Sequence, residues 1–161
     1  MNPPVDLDAC SRRITSGFNK VYDLRFVRML KRQVRQRVDF GLIPAFPDFP
    51  RFGDLRDFDA AYTAPQGGFD SREDYYARCS AGPYLGNIET PTLLLTSRDD
   101  PFAPASDVEA WRLGPGVMLH VERRGGHMGY LDRVAPGGRW LELALSSGLD
   151  ALSAQLGHQT R

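Results

Sequence analysis

Two short runs constrain this fold more than any other feature. Residues 91–97 read "PTLLLTS" and residues 116–122 read "GVMLHVE". The first is continuously apolar, the pattern of a strand covered on both faces in a parallel sheet. The second alternates Val117, Leu119 and Val121 and runs into the paired Gly125 and Gly126. Between them, "ASDVEAW" predicts a helix opened by a capping pattern of Ser106 and Glu109. After them, residues 138–157 predict an amphipathic helix with Leu141, Leu145, Leu149, Leu152 and Leu156 near one face and Gly157 as its C-cap. Strand–helix–strand–helix is the signature of an α/β fold with parallel strands. Two such strands do not make a sheet that is stable alone, and an open edge on "PTLLLTS" is a template for aggregation. The sequence therefore predicts an incomplete sheet.

The first half reads differently. Residues 5–39 predict helix, with Leu24, Val27, Leu30 or Lys31, Val34 and Val38 recurring as an apolar stripe opposite the basic residues. Residues 41–53, "GLIPAFPDFPRFG", hold three prolines among aromatics and predict a packed loop. Ser71 followed by Asp74 predicts the cap of a short helix. Nine of the residues from Arg12 to Arg37 are basic against one acid, Asp23, although the whole chain is neutral. A basic helix can track phosphates or lie on anionic lipid. Solvated helix faces carry the same pattern, and we read this one as solvated. Phe18, Tyr22, Phe26, Phe40, Phe46 and Phe49 fit either an acyl pocket or plain core.

Several classes drop out. A net charge of zero provides no global field for a polyanionic partner. No apolar run has the length of a membrane span, and "MNPPVDLDACSRR" lacks the basic-then-apolar order of a signal peptide. Cys10 and Cys79 are too few for a disulfide framework; both are read as buried thiols of a cytoplasmic protein. The histidines and cysteines lack metal-ligand spacing, and no phosphate loop or dinucleotide fingerprint occurs, so no metal or cofactor is expected.

Reactive groups in parallel sheets sit on loops leaving the carboxyl ends of strands. The first such loop carries Asp99 and Asp100, and the second, "RRGGHMGY", carries His127. Neighbouring strands would bring a carboxylate to an imidazole. A carboxylate on one ring nitrogen fixes the tautomer and stabilises the imidazolium, leaving the other nitrogen to take a proton. Acid before histidine is also the chain order of α/β-hydrolases, in which the nucleophilic serine comes first. Gly125, Gly126 and Gly129 allow a sharp turn around His127 and leave room for substrate.

"PVDLDACSRRITSGFNKVYDLRFVRML", "FDAAYTAPQGGFDSREDYYARCSA", "TPTLLLTSRDDPFAP" and "RRGGHMGYL" followed by "WLE" together resemble the C-terminal part of YheT-like α/β-hydrolases, a serine esterase branch. The resemblance extends from about Pro4 to Glu142. It implies a helical cap region over residues 1–85 and a core portion over 86–161, with 91–97 and 117–123 as the last two strands of the sheet. "DPFAP" matches the family's acid motif from Asp100, with Asp99 as the fallback, and "GGHMG" places the family's histidine at His127. The implied substrates are short- to medium-chain carboxylic esters and lipid esters. The family's Gly-x-Ser-x-Gly nucleophile elbow is missing, since no glycine in the chain is followed two residues later by serine. Acid and base without a nucleophile form no acyl-enzyme. The chain therefore reads as a fragment, a truncated gene product or one half of a split hydrolase, inactive unless a complementary N-terminal half supplies the serine. The alternative is a non-catalytic interaction protein using its basic cap helix.

Overall fold

The computed structural model describes residues 1–45, 53–130 and 140–159, with side chains of the last helix described through residue 153. Phe46 and Phe49, and most of the proline-rich loop, lie outside the described residues. The chain divides into two compact units, one formed by residues 1–6 with 80–161 and the other by residues 7–79.

The unit of residues 7–79 is helical. Helix α1 (Leu7–Ile14) ends where Gly17 adopts a left-handed φ of 54°, and α2 (Lys20–Asp39) follows after a short 3₁₀ turn. The helix expected across residues 5–39 is thus two helices. Thr15, Ser16 and Asn19 donate their side-chain hydrogens to carbonyls of Ser11, Arg12 and Arg13, satisfying the end of α1 and stopping the ladder there. Along α2, Val27 and Val34 are buried as the stripe predicts, but Leu24 is 61% exposed and Asp23 is buried in its place. The Asp23 carboxylate accepts from the Leu55 N–H at 2.8 Å, the start of α3 (Leu55–Phe58), so a polar contact sets the helix rotation. Burial pushes the Asp23 carboxyl up from its ordinary value. A reciprocal box between Asp54 and Asp57 caps α3. A π turn (Asp59–Thr63) and α4 (Ala64–Gln66) continue it. Helix α5 (Arg72–Cys79) begins as expected, with Ser71 Oγ accepting from the Asp74 N–H at 3.1 Å. Cys10 is buried, but Cys79 is exposed, correcting the expectation of two buried thiols.

The other unit holds the sheet. Strand β1 (Thr92–Ser97) pairs in parallel with β2 (Val117–Glu122), from Thr92 opposite Val117 to Ser97 opposite Glu122. The crossover helix α6 (Ala105–Glu109) lies between them in sequence, and α7 (Trp140–Gln159) follows β2. One face of β1 packs Leu94 against Val5, Leu85 and Val108, joined by half-buried Ile88, Leu113, Val117 and Leu119. The other face meets α7 at Gly148, where a Cβ would lie 2.2 Å from a Leu93 methyl, so a larger residue there would push the Leu93 side chain aside. Three expectations need correction here. Helix α6 starts at Ala105 after an extended Pro104, and Ser106 lies inside it rather than capping it, since proline presets the N-terminal turn. Leu149 is 62% exposed, off the apolar face. Helix α7 passes through Gly157 without stopping. Among the described residues, no helix is long and apolar enough to cross a membrane.

Candidate active site

Both strands deliver their C-terminal loops to the same end of the sheet because they run in parallel and in register. The ladder extends one step past β1, with Arg98 N–H donating to Glu122 carbonyl at 2.9 Å. Beyond it the two aspartates part. Asp100 turns inward and is 4% exposed, whereas Asp99 is exposed.

Asp100 is held by its own loop. Its Oδ1 accepts from the backbone N–H groups of Phe102 at 2.8 Å and Ala103 at 3.0 Å, an arrangement favoured by aspartate before proline. That leaves Oδ2 for the partner across the loop, His127 Nδ1, at 2.9 Å. Burial raises the Asp100 carboxyl, but the Ala103 N–H, the Asn2 amide, the Phe102 N–H and His127 outweigh it and hold the group below its ordinary value. An ionised carboxylate only accepts, so the neutral imidazole carries its hydrogen on Nδ1 and keeps the Nε2 lone pair. The His127 side chain is 42% exposed against 0% for Asp100. Phe102 packs edge-on against the imidazole, with ring centroids 5.2 Å apart.

Asp99 has a different place. Its Oδ1 accepts from the N–H groups of Gly125 at 2.8 Å and Gly126 at 2.9 Å, so it staples the loop that presents His127. The Gly126 contact chiefly holds the Asp99 carboxyl below its ordinary value. Gly126 sits at a φ of 52°, and Met128, just past the histidine, at 78°, a conformation that side chains avoid. A Cβ on Gly125 would lie 2.4 Å from the Tyr130 ring, so the space at this glycine is taken by Tyr130, not by substrate.

Three residues with no local sequence signal complete the cluster. Asn2, 2% exposed, donates its amide hydrogens to Asp100 Oδ2 at 2.6 Å and to the Gly126 carbonyl at 3.1 Å. Ser97 Oγ donates to the same carbonyl at 2.9 Å. Tyr130 donates its hydroxyl to the Asn2 amide oxygen, and its ring stacks on Trp140. Of the other histidines, His120 pairs with Glu122 at 2.7 Å on β2 and its ring lies 6.0 Å from that of Trp140. Among the described residues, no cluster of three metal-ligating side chains occurs.

Comparison with known proteins agrees with the class of fold. No family model and no solved structure matches the chain. Among curated proteins, "Putative esterase YheT" of Escherichia coli is 31% identical over 135 residues, covering 81% of this chain and 40% of that protein. An abhydrolase domain-containing protein of Dictyostelium discoideum is 28% identical over 136 residues, 80% of this chain and 34% of its own length. Phospholipase ABHD3 of Homo sapiens is 36% identical over 84 residues, 51% of this chain and 20% of its own. The fold is thus part of an α/β-hydrolase. Within that class the chain belongs to the YheT-like family. It spans about two fifths of the length of the YheT protein it matches.

Proposed function

We propose that this chain carries the acid and the base of an ester hydrolase whose serine lies on a complementary N-terminal segment. The observation that carries the reading is the His127 Nδ1–Asp100 Oδ2 hydrogen bond of 2.9 Å, made by a buried carboxylate to an exposed imidazole. In this reading Nε2 of His127 removes the proton from the serine as it attacks the ester carbonyl. The resulting imidazolium is stabilised by Asp100 and returns the proton to the leaving alcohol. The same nitrogen then activates water to release the acid from the acyl-enzyme. The names of the relatives, an esterase and a phospholipase, support carboxylic and lipid esters as the substrate class.

The edge of β1 away from β2, which pairs with no strand among the described residues, supports a missing segment. Even-numbered residues of β1 turn their backbone groups to β2, as the Thr92 and Arg98 bonds show, so Leu93, Leu95 and Ser97 face the opposite edge. On that edge the Asn2 N–H donates to the Leu95 carbonyl at 2.8 Å. In the same reading, residues 1–85 supply the helical cap region of the complete hydrolase.

The test is complementation. The chain alone should release no p-nitrophenol from p-nitrophenyl butyrate above the buffer rate. Co-expression with an upstream segment bearing a Gly-x-Ser-x-Gly elbow should restore turnover, and His127→Ala or Asp100→Asn should lower it by about 10³–10⁴-fold. Turnover by the isolated chain that His127→Ala removes would refute the need for a second segment. Restored turnover indifferent to both substitutions would refute the assigned roles.

A further inference from the structure

The side-chain amide of Asn2 touches both halves of the acid–histidine cluster. Its nitrogen lies 2.6 Å from Asp100 Oδ2, the oxygen that also meets His127, and 3.1 Å from the carbonyl of Gly126, the residue before His127. Both of those partners only accept, and the Tyr130 hydroxyl donates to the opposite end of the amide. The chemistry of the neighbours therefore fixes which way the amide points, and both hydrogens and the oxygen are used. The backbone is shaped to deliver it. Asn2 has a left-handed φ of 40°, its own N–H is tied to the Leu95 carbonyl, and the residue is 2% exposed. Asparagine is among the few non-glycine residues that accept this conformation readily.

We infer that Asn2 is a positioning residue for the Asp100–His127 pair. One hydrogen holds the Asp100 carboxylate ionised with Oδ2 turned to the imidazole. The other ties down the loop that carries the histidine. This inference rests on the acid–base reading above, and it makes residue 2 part of the site's machinery.

The experiment is an NMR titration of the isotope-labelled 161-residue chain, which needs no ester turnover. In the unaltered chain, the Asp100 carboxyl should titrate below ordinary aspartate, and neutral His127 should carry its hydrogen on Nδ1. Asn2→Gly preserves the left-handed backbone and deletes the amide; it should raise the Asp100 midpoint by about one pH unit. Asn2→Asp places a like charge against Asp100 and should raise the coupled midpoint further. Both variants, folded as judged by cooperative thermal unfolding, leaving the Asp100 midpoint in place would overturn the role of Asn2. Asp100→Asn is the reference: it should release the Nδ1–H preference of His127. No change of tautomer there would instead mean that the pair itself is uncoupled, which removes the acid–base reading.

Discussion

Asp99 and Asp100 are adjacent in sequence and chemically identical, yet they do different work because one faces in and one faces out. The Asp100 carboxyl lies below its ordinary value of 3.8 in the folded chain. Its stabilising effect is thus present above that value and is lost as the pH falls through the lower folded value. The thermal midpoint of the chain should accordingly drop as the pH is taken from about 5 to about 2, and Asp100→Asn should flatten this acid limb while lowering stability at neutral pH by about 1–3 kcal/mol. Asp99 contributes through the backbone of the histidine loop. Asp99→Ala should accelerate hydrogen exchange at the Gly125 and Gly126 amides on the order of tenfold, with Asp100 and the β1–β2 ladder unaffected. The sequence made the acid and the histidine legible because each followed a strand-like run, in the order expected of a hydrolase. It did not reveal Asn2, which is 98 residues from Asp100 and sits in no pattern that a single sequence displays.

At the level of elements, local chemistry repeatedly overrode periodicity. Leu24 fits the stripe of α2 but lies exposed, because the adjacent Asp23 is drawn inward to cap α3. The long helix expected from residue 5 breaks at Gly17, where side-chain hydroxyls already satisfy the terminal carbonyls of α1. Strand β1 shows the reverse case, a continuous apolar run that is buried from Leu94 to Ser97 as its pattern predicts. Within it, Thr96 is fully buried and its hydroxyl has no partner among the described residues. Valine has nearly the same shape and carries no hydroxyl to desolvate. Thr96→Val should therefore stabilise the chain by about 1 kcal/mol, read as a rise of about 2–4 °C in the thermal midpoint. A lower midpoint would mean that the hydroxyl has a partner in solution.

At the level of the whole molecule, a neutral chain carries bare apolar side chains around one helix. Phe18 is 99% exposed, Phe40 77%, Val21 73% and Leu42 72%, all at or around α2. Arg25, Arg28, Arg32 and Arg35 of the same helix are exposed as well, in keeping with a solvated basic face. The aromatics expected to line an acyl pocket or fill a core are, for Phe18, Tyr22 and Phe40, at the surface of this chain. With a net charge of zero at pH 7, charge repulsion does little to keep such surfaces apart. Light scattering across pH 5 to pH 9 should show association greatest near neutrality and relieved toward either end, and a flat profile would contradict this.

The amino-acid sequence by itself determined the class of fold, the two parallel strands and the pairing of an acidic loop with a histidine loop. Hydrophobic periodicity, glycine placement and motif order are written locally, and these features need nothing more. Tertiary structure decided what holds each aspartate in place, and that an asparagine at the second position joins the acidic loop to the histidine loop. Those outcomes depend on which distant backbone and side-chain groups arrive in a buried space together, where each donor must find an acceptor, and spacing along one chain does not encode that meeting.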